Sequence, residues 1–150
     1  MSRPRFLFVS WVDVERRQAP DEWTPAANRA EAVSWRLVGA NNHELGRGPD
    51  FHRGHTACHS AVVRLRDGLD RAVPLVTMAA DAAGTWTWQL AMDDRCVAVA
   101  ARTYRRQREC RDSLQLFLAA AVAGQVASGV TYTRRLRGLR LPDAARRNVS

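Results

Sequence analysis

Residues 34–65 read SWRLVGANNHELGRGPDFHRGHTACHSAVVRL, and residues 87–118 read TWQLAMDDRCVAVAARTYRRQRECRDSLQLFL. Set one above the other with a constant shift of 53 and no gap, they place Trp35 on Trp88, Leu37 on Leu90 and Phe51 on Tyr104. The same shift puts Arg53 on Arg106, Ser60 on Ser113 and Leu65 on Leu118. Two like segments make two like structural units, so this repeat decides the expected fold. It also lets each unusual residue be checked against its counterpart.

Within the first copy, Ser34 to Ala40 reads as a strand. Trp35, Leu37 and Gly39 share one face; Ser34, Arg36, Val38 and Ala40 share the other. Asn41-Asn42 is a tight-turn signal, and Glu44 to Gly48 returns as the hairpin partner. A helix follows from about Gly54 to Arg66, with Ala57, Ala61 and Leu65 one turn apart and Cys58 and Val62 beside them. Asp67-Gly68 ends it. Upstream, Arg5 to Val12 reads as a buried strand, and residues 13–33, with Pro20 and Pro25, as a polar loop or insertion.

The second copy repeats the order. Val73 to Ala79 is a strand. Thr85 to Met92 is another, with Trp86, Trp88, Leu90 and Met92 on one face. Asp93-Asp94 is the turn and Cys96 to Ala101 the return strand. A helix from about Arg105 to Ala123 carries the stripe Cys110, Leu114, Phe117, Leu118 and Ala121. Gly124 is its stop, although Gln125 to Ala127 can continue it. Val130 to Thr133 reads as a last strand, and from Arg134 the chain is basic and loosely ordered. The expected fold is α+β: two tandem β3α repeats, antiparallel meanders each covered by one helix. The first unit takes residues 1–66, the second 67–128, and a basic tail 129–150. The two sheets can join edge to edge within the chain or between chains, so a homodimer is one arrangement the pattern allows.

The repeated unit resembles the YegP-like family, small proteins of uncharacterised function built from tandem copies of a short domain. The resemblance rests on Trp35 to Leu45, Phe51 and Ser60-Ala61 in one copy, and on Trp88 to Leu90, Asp94-Arg95, Tyr104 and Ser113-Leu114 in the other. It departs at the turns, where Asn42 and Arg95 replace glycine, and at Ser60 and Ser113. It implies an α+β fold of two β3α units and a dimer as one form, and it implies no established chemistry.

A chain of 150 residues buries enough surface to fold without staples. Three cysteines without CxxC spacing read as free thiols in a reducing compartment, so the expected location is cytoplasmic. No apolar run is long enough for a signal peptide or a membrane span. All 23 basic residues are arginine, which points to coding bias and weakens arguments from any one of them. Their distribution says more. Residues 1–101 hold 12 Arg and 12 acids, whereas residues 102–150 hold 11 Arg and three acids, so the whole net charge of +8 lies in the last third. That asymmetry fits an anionic partner: nucleic acid, an acidic protein surface or a membrane surface.

His52, His55, Cys58 and His59 have ligand-like spacing. Their counterparts at a shift of 53 are Arg105, Arg108, Arg111 and Asp112, which favours a solvated helix face and no metal site. No nucleophile elbow, phosphate-cradling glycine loop or carboxylate pair is present, so no catalytic residue and no cofactor are expected. Trp35, Trp86 and Trp88 can stack on bases, but alternating aromatics on one strand face are better read as core.

Arg102, Arg105, Arg106, Arg108 and Arg111 cluster where a helix dipole disfavours cations. They read either as anion capture by a helix start or as a solvated face. Arg134, Arg135, Arg137, Arg140, Arg146 and Arg147 form a tail suited to a nucleic-acid or acidic-protein partner; its interleaved leucines also allow a docking segment or a weak membrane-surface helix. The leading expectation is a non-catalytic module that binds an anionic partner, foremost nucleic acid, through the second helix and the tail. The alternative is a protein–protein subunit whose tail orders on its partner.

Overall fold

The computed structural model describes residues 3–13, 32–81 and 83–135. Among these, eight strands form one sheet, with two helices on one of its faces. The strands are β1 (Arg5–Asp13), β2 (Ala32–Val38), β3 (Glu44–Arg47), β4 (His52–Arg53), β5 (Val73–Met78), β6 (Trp86–Met92), β7 (Arg95–Ala100) and β8 (Gln125–Arg135). The helices are α1 (His55–Asp67) and α2 (Gln107–Ala123). The sheet order is β5-β6-β7-β3-β2-β1-β8, with β4 pairing β2. Every pair is antiparallel except β1 with β8, so the sheet is mixed and the fold α+β.

The halves meet at β3 and β7, where Arg47 stands opposite Val99. Both hairpins carry an irregularity at the same place, between Leu37 and Val38 in one and between Leu90 and Ala91 in the other. Beyond it the register differs from the gapless expectation. Leu37 pairs Gly46 and Leu90 pairs Ala98, so Trp35 and Trp88 correspond at 53 but Gly46 and Ala98 at 52. The extra residue lies in the first turn: five residues separate Val38 from its partner Glu44, and four separate Ala91 from Cys96. Asn42 (φ 65°) turns the first hairpin. Asp93 and Asp94 (φ 51° and 62°) form the two-residue loop between the paired Met92 and Arg95, a geometry in which short polar side chains tolerate the left-handed region.

The one-residue offset carries into the helices, which start at His55 and Gln107 and bury Cys58, Val62 and Leu65 against Cys110, Leu114 and Phe117. Cys58 therefore matches Cys110, not Arg111. The first helix's core stripe is rotated from the expected one: Ala57 is exposed and Ala61 only half-buried. The second helix begins later than expected because the backbone is still extended at Tyr104, whose N–H and C=O both bond Trp86. Its C-terminus stops at Gly124, where an added Cβ would lie 2.9 Å from the Ala120 carbonyl oxygen. Gln125 to Ala127 then run as strand, not helix. The second unit and tail, expected to divide at 128/129, are thus bridged by β8. Its Val126 and Val130 pack against the core and its length is paired to β1 as far as Arg135.

The core lies between sheet and helices: Phe6, Phe8, Val33, Trp35 and Leu37 from one half, Trp88, Leu90 and Ala98 from the other. The helices do not each cover only their own meander. Phe117 of α2 sits 4.8 Å from Trp88 and 6.3 Å from Trp35, centroid to centroid, so α2 packs across the seam. Gly46 makes that possible, because a Cβ there would lie 2.5 Å from the Phe117 ring. Trp88 also donates to Ser113 Oγ at 2.9 Å, and the Ser113 hydroxyl donates to the Cys110 carbonyl.

Candidate nucleic-acid interface

The arginine cluster before and within α2 is held by the bridge at Tyr104. Arg102 lies in the preceding turn, its guanidinium 5.1 Å from the centre of the Tyr104 ring. Arg105 and Arg106 precede the helix, and Arg106 is its extended N-cap residue with no side-chain cap. Arg108 and Arg111 fall within it, one turn apart, beside the buried Cys110. All five are exposed. Arg106 faces Glu109 at 3.9 Å, with 81% and 54% of the two side chains exposed, a pair worth little in water.

The exposed surface of α2 is divided. Glu109 and Asp112 line a groove of about 570 Å³ with Glu44, His43, Arg102 and Tyr104, whereas Arg108 and Arg111 lie outside it. Arg108, Arg111 and Gln115 follow helical spacing along the other flank. The free N–H groups of the first turn add positive potential at the same end. The structure thus brings the five arginines of 102–111 to one end of α2 but does not gather them around a pocket. Of the tail, Arg134 and Arg135 end β8 opposite Val12 and Asp13. Arg137, Arg140, Arg146 and Arg147 lie outside the described residues, as do residues 14–31 of the insertion expected over 13–33; its ends are not loop, because Asp13 closes β1 and Ala32 and Val33 open β2.

The histidines and Cys58 do not share a solvated face. Cys58 is fully buried, and burial pushes its thiol up to about 12. The Cys96 and Cys110 thiols are also raised, chiefly by burial. His55 packs edge-on against Phe8 at 4.7 Å, with its Nε2 buried and unpartnered, and His59 stacks on the same ring at 5.8 Å. His52 is held below its ordinary value by burial, with Arg64 adding to the effect and Asp50 opposing it. Among the described residues no three His, Cys, Asp or Glu side chains come together as metal ligands. No helix among them is long and apolar enough to cross a membrane.

Sequence reasoning missed the sheet's other face. Arg36 and Arg47 stand directly opposite each other there. The signal was present in the alternation of Trp35, Arg36 and Leu37, but the partner strand's register was needed to read it.

These features define an α+β protein with one mixed sheet, two helices on one side and a basic helix start. No family model matches the chain, and no curated protein matches it. Two solved structures share its fold. One is the solution NMR structure of yegP, a protein of unknown function from E. coli, with TM-score 0.53 and 9% identity over 87% of this chain and 94% of that one. The other is UPF0339 protein SO3888 from Shewanella oneidensis, with TM-score 0.54 and 5% identity over 86% of this chain and 92% of that one. The chain is therefore similar in fold to YegP-like proteins of uncharacterised function, as its repeated segments suggest.

Proposed function

We propose that this protein is a non-catalytic binding module that holds nucleic acid through the outward flank of α2 and the basic tail. One observation carries the reading: Arg102, Arg105, Arg106, Arg108 and Arg111 are all exposed at one end of α2, and Glu109 is the sole acid that pairs any of them among the described residues. Unpaired guanidinium groups beside a helix start suit phosphate oxygens. The scaffold in this reading is a tandem duplication of a β3α unit, supported by the matching hairpin irregularities and helix starts. The five arginines then mark where the second copy departs from the first. At the offset of 52 that aligns the helices, their places in the first copy are held by Asp50, Arg53, Gly54, Thr56 and His59, with one arginine among them. A cytoplasmic location follows from the free thiols.

A second reading, a protein–protein subunit, is favoured by the edge strand β5. Val73, Leu75 and Met78 there are 63%, 50% and 58% exposed. Titration of a labelled single strand across salt concentrations tests the first reading. Light scattering tests the second, which requires a stable assembly that survives high salt.

A further inference from the structure

The sheet ends on two strands of different composition. β8 lies at one edge and finishes on Arg134 and Arg135. β5 lies at the other and reads Val-Pro-Leu-Val-Thr-Met, with no charge between Val73 and Met78. Val73, Leu75 and Met78 there are exposed, while Val76 packs against the core. Charged residues on an edge resist pairing with another strand; an uncharged apolar edge favours it.

The strand pairing fixes which backbone groups of β5 face outward. The Ala79 N–H donates to the Thr85 carbonyl, and Trp86 turns its own N–H and C=O to Tyr104 on its far side. In the antiparallel ladder from Val73↔Ala91 to Met78↔Trp86, the odd-numbered residues of β5 therefore bond β6, and the even-numbered ones point their groups to the open edge. That edge offers the carbonyls of Pro74, Val76 and Met78 and the N–H groups of Val76 and Met78. Pro74 has no N–H, and its missing donor falls on the open side, where an edge tolerates it. Arg71 and Asp81 lie just beyond the two ends of β5. Both are exposed, and neither makes an ion pair among the described residues.

We propose that β5 is a self-association surface, pairing antiparallel with β5 of a second copy across a two-fold axis at Val76. This rests on the β5 edge that favours the protein–protein reading above and is independent of the nucleic-acid one. The arrangement sets Val76 opposite its copy, Pro74 opposite Met78 and Leu75 opposite Thr77. The two Val76 residues exchange two backbone hydrogen bonds, and each Met78 N–H meets a Pro74 carbonyl, four bonds in all. Leu75 stands diagonal to Leu75 of the second copy, within reach on the helix-free side. Continued past the strand ends, the same register brings Arg71 of each copy beside Asp81 of the other. Slipping the pairing by two residues in either direction separates both charge pairs. A two-fold interface must be complementary to itself reversed, and this edge, with opposite charges at its two ends, meets that condition.

The test is sedimentation velocity of the nucleic-acid-free full chain over a range of concentrations. It compares wild type, Leu75→Lys, Arg71→Asp, Asp81→Arg and the Arg71→Asp/Asp81→Arg swap. Wild type should pass from monomer to dimer as concentration rises. Arg71→Asp and Asp81→Arg should each raise the dissociation constant about tenfold, since each reverses two exposed cross-strand pairs. The swap should bring it back close to the wild-type value. Leu75→Lys should weaken the dimer at least as much, because it puts on β5 the kind of charge that keeps edges apart. The three positions are exposed, so the monomers should keep the wild-type thermal midpoint. A dimer that Leu75→Lys and the charge variants leave unchanged, or charge variants that the swap does not rescue, overturns the proposal. A wild type that stays monomeric at every concentration also overturns it; a salt-stable complex of that monomer with another protein would leave the wider protein–protein reading standing.

Discussion

Replacing Gly46 by alanine should strain the seam between the two halves. The new methyl would lie 2.5 and 2.7 Å from two carbons of the Phe117 ring and 2.9 Å from Trp88. Phe117 is fully buried and wedged between Trp88 and Trp35, so it has little room to yield. Overpacking of this kind costs about 1–3 kcal/mol. The backbone at Gly46 is not left-handed, so alanine gains about 0.4–1 kcal/mol by restricting the unfolded chain. The net loss should be about 1–2 kcal/mol, a fall of roughly 2–8 °C in Tm for a chain of this size. Urea denaturation of Gly46→Ala, of Phe117→Leu and of the double variant gives the coupling. The smaller side chain should relieve the clash, so the double variant should be more stable than the sum of the singles by about 1 kcal/mol. A Gly46→Ala protein within about 0.5 kcal/mol of wild type, or additive behaviour in the cycle, would refute the packing of α2 across the seam.

Three further outcomes follow from the geometry. Ser113→Ala should cost about 1–2 kcal/mol in urea melts, because Trp88 Nε1–H loses its acceptor; a neutral change would mean water replaces the hydroxyl. Asp94→Gly should stabilise by about 0.5–1 kcal/mol, since glycine adopts the left-handed turn conformation without a Cβ penalty; a loss instead would show that the Asp94 side chain supports the turn. His52 has a lowered folded-state pKa, so the unfolded chain takes up its proton first, and stability should fall as pH drops from about 6.5. His52→Gln should lose less stability between neutral pH and about pH 5 than wild type does, as read by melts at each pH; equal losses would mean that other groups govern that range.

Much of the fold was legible from alternation and helical spacing. Trp35 with Leu37, and Trp88 with Leu90, marked the buried faces, and the acid pair Asp93-Asp94 marked its turn. The offset between copies was not legible, because a one-residue difference in hairpin length leaves strand periodicity intact on either side. It surfaced only in strand pairing, and it moved Cys58 from a solvated to a buried position. The continuation of β8 was hidden for another reason. Gly124 and the small residues after it carry little preference of their own, and the parallel partner β1 lies far away in sequence. The α2 arginines were legible as a cluster. Arg36 and Arg47 were not, since they sit in a segment whose charges sum to zero and only the sheet brings them together.

The most direct measurement is the salt dependence of oligothymidylate binding by wild type beside Arg108→Gln/Arg111→Gln. A nucleic-acid module of this kind should bind tightly at low salt and weaken steeply as salt rises, with a flatter slope in the variant. Binding that ignores salt, or a variant with wild-type affinity and slope, would contradict the proposed role of α2.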